Sequence, residues 1–195
     1  MRIVSGKFKG RILFSPPESA KLRPTSDMTR EAIFNVVRSD ISDSTFLDLF
    51  AGSGAVGLEA ISEGAKFAVF VDKNPMSITT IKKNIALLGI AKQSTVIKKD
   101  VLQFLANPCL DLLDKKFDIV FIDPPYASLL AGTTLKALAS CGFLNENAIV
   151  IAEHSSKEIL ESSILGSHSL KEFQQKHYGE ITVTYYIANS LKEIP

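Results

Sequence analysis

The sequence predicts an α/β fold: a seven-stranded, mostly parallel sheet with helices on both faces, closed by a C-terminal antiparallel hairpin. Three observations carry this expectation. Strand-like and helix-like segments alternate from residue 45 to residue 153. The strand-like runs, such as Phe117-Asp118-Ile119-Val120-Phe121-Ile122, are almost wholly apolar, as strands buried on both faces must be. The last two runs flank Tyr178-Gly179, a bend between alternating segments.

Residues 2–5 and 10–14, joined through Gly6-Lys7-Phe8-Lys9-Gly10 and closed by Pro16-Pro17, read as a small β-hairpin. A helix over 28–38 follows, with Asp27 or Ser26 as its cap and Ala32, Ile33, Val36 and Val37 as its apolar stripe. Strands are then expected over 45–50, 67–72, 94–98, 117–122 and 148–153, with helices over 55–63, 75–88, 101–107 and 129–140. Pro75 stands at the helix position that tolerates proline best. The hairpin strands are 169–177 and 180–188. Residues 1–40 are too few to fold alone, so they read as an extension packed on a main domain over 41–195.

A chain of 195 residues that is 46% hydrophobic and 22% charged can bury a substantial core. No apolar run approaches a membrane span or a signal core, which predicts a cytoplasmic protein. Cys109 and Cys141 are too few for a disulfide scaffold and are read as reduced and structural. Residues 1–38 hold eight Lys and Arg against three acids, a surplus of five, so the other 157 residues carry a net −4 beneath an overall +1. A positive field confined to one end suits a protein that touches phosphates with one face, and apolar residues alternating with those charges argue for folded structure there.

Between the first strand and the next helix, Asp48-Leu49-Phe50-Ala51-Gly52-Ser53-Gly54-Ala55-Val56-Gly57 contains a G-x-G-x-x-G turn. Asp72, twenty residues after Gly52, stands where a ribose diol would be held. That pattern alone fits NAD as well as any other nucleoside cofactor. Two details favour S-adenosylmethionine. Asp48, beside the turn, would repel a pyrophosphate yet accept a cationic ligand. Asp100-Val101, after the third strand, offers a carboxylate for adenine N6 and a backbone N–H for a ring nitrogen. An oxidoreductase would also need a hydride-transfer set such as Tyr-x-x-x-Lys, which the sequence lacks.

Asp123-Pro124-Pro125-Tyr126 ends the fourth strand. Consecutive prolines hold the backbone extended and add no N–H, so a carboxylate and a carbonyl can both accept from one planar amino group. The Tyr126 ring offers a stacking face for a base. His154, His168 and His177 lie in different elements without ligand spacing and read as ordinary surface or hairpin residues; no metal is expected.

Together these residues resemble class I S-adenosylmethionine-dependent methyltransferases with a Rossmann-like fold. More narrowly, the chain resembles the RsmD family, which methylates N2 of a guanine in 16S rRNA of the small ribosomal subunit. Met1 to Arg11, Arg23-Pro24-Thr25, Arg30-Glu31-Ala32-Ile33-Phe34-Asn35, Phe46 to Gly54 and the 123–126 tetrapeptide carry the likeness. It implies cofactor contacts from Asp48, Phe50, Ala51, Gly52, Ser53, Gly54, Asp72, Lys73, Asn74, Asp100 and Val101. It implies a target-base site at Asp123, Pro124, Pro125 and Tyr126, and RNA contacts from Arg2, Lys7, Lys9, Arg11, Arg23, Thr25 and Arg30. The implied partner is the small subunit or an assembly intermediate, bound by a monomer. A DNA adenine, another RNA or a protein glutamine is the alternative substrate. Against DNA stands the small extent of chain outside the core, too little to read a duplex by direct base contacts.

Overall fold

The computed structural model describes residues 1–15, 27–107, 115–125 and 129–190. Expectations at Ser26, Arg23, Thr25, Cys109 and Tyr126 lie outside the described residues. The chain divides into two compact units, Met1–Asp100 and Val101–Pro195.

In the first unit, β1 (Thr45–Leu49), β2 (Phe67–Asp72) and β3 (Ser94–Lys98) pair in parallel in the order β3-β2-β1. α1 (Asp27–Val37) packs Ile33, Phe34 and Val37 inward. α2 (Ala55–Glu63) is buried from Ala55 to Ser62 and stops at Gly64, a left-handed residue (φ 116°) whose N–H returns to the Ala60 and Ile61 carbonyls. α3 (Pro75–Leu88) starts with the Asn74 side chain accepting from Met76 N–H and buries Ile78, Ile81, Ile85 and Leu88. The parallel strands bring the carboxyl ends of β1 and β2, and Asp100 just beyond β3, to one end of this sheet.

The N-terminal segment is not the regular hairpin expected. One antiparallel bridge, Arg2 with Ile12, joins its arms around a 3-10 turn at Gly6–Phe8. The reason is competition for its backbone groups. Val4 and Ser5 N–H donate to the Glu59 carboxylate, Phe8 N–H donates to Ser62 Oγ, and Phe14 N–H donates to Asn84 Oδ1. Helix side chains thus take hydrogen bonds that a strand ladder would use. At Gly6 the approach leaves no room for a side chain, because a Cβ would lie 1.9 Å from the Ser62 carbonyl oxygen.

The second unit contains α4 (Val101–Ala106), β4 (Phe117–Ile122), α5 (Leu130–Ser140), β5 (Leu144–Ser155), β6 (Ser163–Leu165), β7 (His168–Tyr178) and β8 (Ile181–Ser190). β4 and β5 are parallel and the remaining pairs antiparallel, in the order β4-β5-β8-β7-β6. Eight strands occur among the described residues, one more than expected. The extra strand, β6, is three residues long, too short to leave an alternating pattern. β5 begins at residue 144 rather than 148: Asn145, Glu146 and Asn147 break the apolar run, Asn147 is left-handed (φ 61°) and the register with β4 shifts there, yet Leu144 already pairs with Phe117.

Candidate functional site

The first unit builds a cradle from the turn between β1 and α2. Phe50 (φ 63°), Gly52 (φ 55°) and Gly54 (φ 78°) are all left-handed, so the chain reverses sharply there, with the non-glycine Phe50 held in an unfavourable conformation. A Cβ added at Gly52 would have only the Phe50 carbonyl oxygen within reach, at 3.9 Å, leaving its outer face open to a ligand. Ala51, Ser53 and Gly54 are buried beneath it.

Asp72 organises this turn. Its Oδ2 accepts from Gly52 N–H at 2.8 Å and its Oδ1 from Asn74 N–H at 2.7 Å, so one carboxylate fixes the glycine turn and the start of α3. Asn84, wholly buried, donates to the Ser53 carbonyl at 3.1 Å and to the Phe14 carbonyl at 3.1 Å. Beyond β3, Asp100 meets exposed Lys73 at 3.3 Å.

Asp48 is buried, and its Oδ2 accepts from Gly57 N–H at 3.0 Å in the first turn of α2. Burial pushes its carboxyl up to about 8, opposed by the Gly57 hydrogen bond and reinforced by the negative Asp72. An ordinary aspartate ionises near 3.8, so between pH 4 and 8 the folded protein keeps a proton that the unfolded chain releases. This group therefore lowers stability as pH rises through that window, by at most about 1.4 kcal/mol per pH unit, and no further above it. A cation placed in the cradle favours the ionised form. Its binding would draw the Asp48 pKa down and release a proton below pH 8. The negative charge expected beside the turn is thus largely latent at neutral pH until a cation arrives.

The cradle fits S-adenosylmethionine on these grounds: an open glycine surface, a clamped acid at the end of β2, and a buried carboxyl whose charge a positive ligand would stabilise. Asp48, Gly52, Gly54, Asp72, Lys73, Asn74 and Asp100 all belong to this unit and to this end of its sheet.

In the second unit, Asp123 follows β4 and is half-buried, Pro124 is buried and Pro125 is exposed. Val101 opens α4, buried. The apolar β4, paired with β5 up to Ile122–Ala152, delivers Asp123 at its carboxyl end.

Among the residues expected to touch RNA, Arg2, Lys7, Lys9 and Arg11 are exposed, with Lys7 5.3 Å above the Phe8 ring. Arg30 is a correction. It is wholly buried, its Nε donates to Glu59 at 3.1 Å, and its terminal nitrogen donates to Asp27 at 2.9 Å and to the Arg2 carbonyl at 2.6 Å. Its cation is consumed inside the protein, holding the N-terminal segment rather than a phosphate.

Sequence reasoning missed the partners of this arrangement. Glu59, wholly buried, receives Arg30, Val4 and Ser5, and Asn84 ties Phe14 to the glycine turn. The signals were available: a lone carboxylate inside the apolar run of α2, and a lone amide on the isoleucine stripe of α3. His177 is exposed on β7, as expected, whereas the other two histidines are buried. His154 is buried, with Nε2 2.9 Å from Thr184 Oγ1, and desolvation holds its pKa down; His168 is buried as well. Cys141 is half-buried and its thiol is pushed up by desolvation, which suits an unreactive role. Among the described residues, no cluster of His, Cys, Asp and Glu could hold a metal ion, and no helix is long and apolar enough to cross a membrane.

Known proteins resemble the chain over most of its length. It is 37% identical over 153 residues to "Ribosomal RNA small subunit methyltransferase D" of Escherichia coli, covering 78% of this chain and 74% of that protein. The protein of the same name from Buchnera aphidicola (strain APS) is 32% identical over 188 residues, covering 96% and 93%. The solved Escherichia coli protein yhhF superposes with a TM-score of 0.83 at 32% identity, covering 97% and 98%. An RNA methyltransferase from Salinibacter ruber, solved with S-adenosyl-L-homocysteine, shares the fold at a TM-score of 0.63 and 14% identity, covering 89% and 97%. The fold is therefore that of class I methyltransferases, and the chain belongs to the family described as "Conserved hypothetical protein 95", the RsmD family, whose model matches residues 1–187.

Proposed function

We propose that this chain is an S-adenosylmethionine-dependent rRNA methyltransferase that transfers a methyl group to the exocyclic N2 amine of a guanine in 16S rRNA, with residues 1–40 as its RNA-facing extension. The observation that carries this reading is the carboxylate-rich end of the β1–β3 sheet, clamped around an open glycine turn, in a chain of this family. Its relatives named for methylation of small-subunit rRNA support the substrate class.

When bound, S-adenosylmethionine supplies a methyl carbon made electrophilic by an adjacent sulfonium. The protein's own part is to hold and to aim. Asp72 keeps the glycine turn in its reversed form, leaving Gly52 open for close backbone approach. Asp48 gives up its proton as a positive ligand settles, and Asp100 with the Val101 N–H would receive an adenine edge. No residue needs to attack covalently.

Guanine N2 is a weak nucleophile because its lone pair is delocalised into the ring. Asp123 and the Pro124 carbonyl would each accept one N2 hydrogen, which favours a pyramidal nitrogen and directs its lone pair. Tyr126 would stack on the base and offset part of the cost of extruding it. Rate enhancement on this account comes from positioning and from a fixed polar surround. The proton released after transfer passes to Asp123 or to water.

The test is methyl transfer in vitro to 16S rRNA from cells lacking this gene, followed by nuclease digestion and mass mapping. N2-methylguanosine at a single position is expected. Methyladenosine, or transfer to protein or DNA instead, would point to a different amino-methyltransferase.

A further inference from the structure

Residues 73–99 contain six lysines, at 73, 82, 83, 92, 98 and 99, and not one Asp or Glu. The rest of the chain, with a net charge of +1 overall, is therefore acidic. In the first unit these lysines fall on connected surfaces. Lys82 and Lys83 are exposed on α3, on the side away from the buried Ile78, Ile81 and Ile85. Lys92 is exposed in the 3-10 turn Ala91–Gln93 that leads into β3, and Lys98 is exposed at the end of β3, the outer strand of that unit's three. Lys73 is paired with Asp100. Among the described residues, no carboxylate forms an ion pair with Lys82, Lys83, Lys92 or Lys98.

The basic N-terminal segment is bonded to the same helix. Asn84, the residue after Lys83, holds Phe14 by both its N–H (2.8 Å) and its carbonyl (3.1 Å). That contact places the end of the segment, with exposed Arg11, Ile12 and Phe14, against the helix that carries Lys82 and Lys83.

We propose that the outer side of α3 and the β3 edge form a second RNA surface, which takes the phosphodiester backbone flanking the methylated nucleotide and extends the contact made by the N-terminal segment. This rests on the rRNA reading above. Four uncompensated cations without an intervening acid attract a polyanion of any sequence, whereas a protein interface is depleted of lysine at its centre. α3, with 14 residues, is about 21 Å long, enough to follow several phosphates. Lysine, a flexible point charge, suits backbone neutralisation rather than base readout.

The quadruple variant Lys82→Ala/Lys83→Ala/Lys92→Ala/Lys98→Ala tests this by fluorescence anisotropy on an rRNA fragment that the wild type methylates, over a range of KCl concentrations. Each phosphate contact contributes about 0.7 to 0.9 to the slope of log affinity against log salt, so the slope should flatten by about 3. Affinity at about 0.1 M salt should fall at least tenfold. S-adenosylmethionine affinity and thermal midpoint, which these side chains do not govern, should stay at wild-type values. An unchanged slope with wild-type affinity overturns the proposal. So does a loss confined to protein-containing particles, which would assign the surface to a ribosomal protein. A wild type that neither binds nor methylates any rRNA sinks the parent reading and this surface with it; wild-type methylation with no effect of the variant sinks this surface alone.

Discussion

Replacing Asp123 with alanine is expected to lower kcat for methyl transfer by about 10³-fold, with S-adenosylmethionine affinity within twofold of wild type. The size follows from what one oriented group contributes at a reacting centre, about 10² to 10³, when its removal leaves the reacting atom free to rotate away. Asp123→Asn keeps an acceptor oxygen but loses the charge, and its amide can place an N–H against the amine, so about 10²-fold is expected. Stopped single-turnover assays with tritiated donor separate the chemical step from binding. Thermal melts exclude unfolding as the cause. Wild-type turnover in Asp123→Ala would remove the residue from the mechanism.

The second large effect concerns the internal pair that anchors the N-terminal segment. Glu59→Gln should destabilise the protein by about 3 to 5 kcal/mol, because it leaves the wholly buried Arg30 cation without its internal carboxylate. At roughly 2 to 4 °C per kcal/mol for a chain of this size, the melting midpoint should drop by about 10 °C. Arg30→Met should cost less. Glu59 would keep the N–H groups of Val4 and Ser5 and the Ser5 hydroxyl as donors, whereas the glutamine of the first variant faces an intact guanidinium. Urea unfolding gives the ranking. Because Glu59 also fixes Val4 and Ser5, RNA affinity should fall in Glu59→Gln even at temperatures where the protein stays folded. Equal costs for the two variants would mean that the pair, and not the asymmetry of its other bonds, decides stability.

Much of this was legible in the sequence, and the rest had physical reasons to be hidden. The β-strands over 67–72 and 117–122 emerged at the expected positions because buried parallel strands are written as continuous apolar runs bounded by turn residues, and the half-buried outer strand over 94–98 emerged from its short Thr95-Val96-Ile97 run of β-formers. The glycine turn was legible because conformational demand leaves a mark: few residues other than glycine accept the φ 55° and φ 78° of Gly52 and Gly54, whereas the bonds by which Asp72 clamps that turn were not. Arg30 was misread because an arginine in a basic segment looks like a phosphate ligand, and only tertiary structure shows Glu59 of another helix reaching it. The N-terminal strands are irregular for the same reason: although Ile3, Gly10 and Leu13 N–H bond across the two arms, the N–H groups of Val4, Ser5, Phe8 and Phe14 go to side chains of distant helices. The state of Asp48 was also hidden. Its position announced a charge, but burial decides that the charge is withheld.

The central claim is that strand-end carboxylates form a cradle for a positively charged methyl donor. Calorimetric titration of S-adenosylmethionine into wild type and Asp48→Asn, from about pH 6 to pH 7.5 and in two buffers of different ionisation enthalpy, tests it most directly. Between the ordinary value of 3.8 and the raised value of about 8, wild type must release a proton on binding, so its affinity should climb with pH relative to Asp48→Asn, by up to about tenfold per unit. NAD should not compete. Donor affinity that is equal in the two proteins at every pH, or displacement of the donor by NAD, would contradict the account.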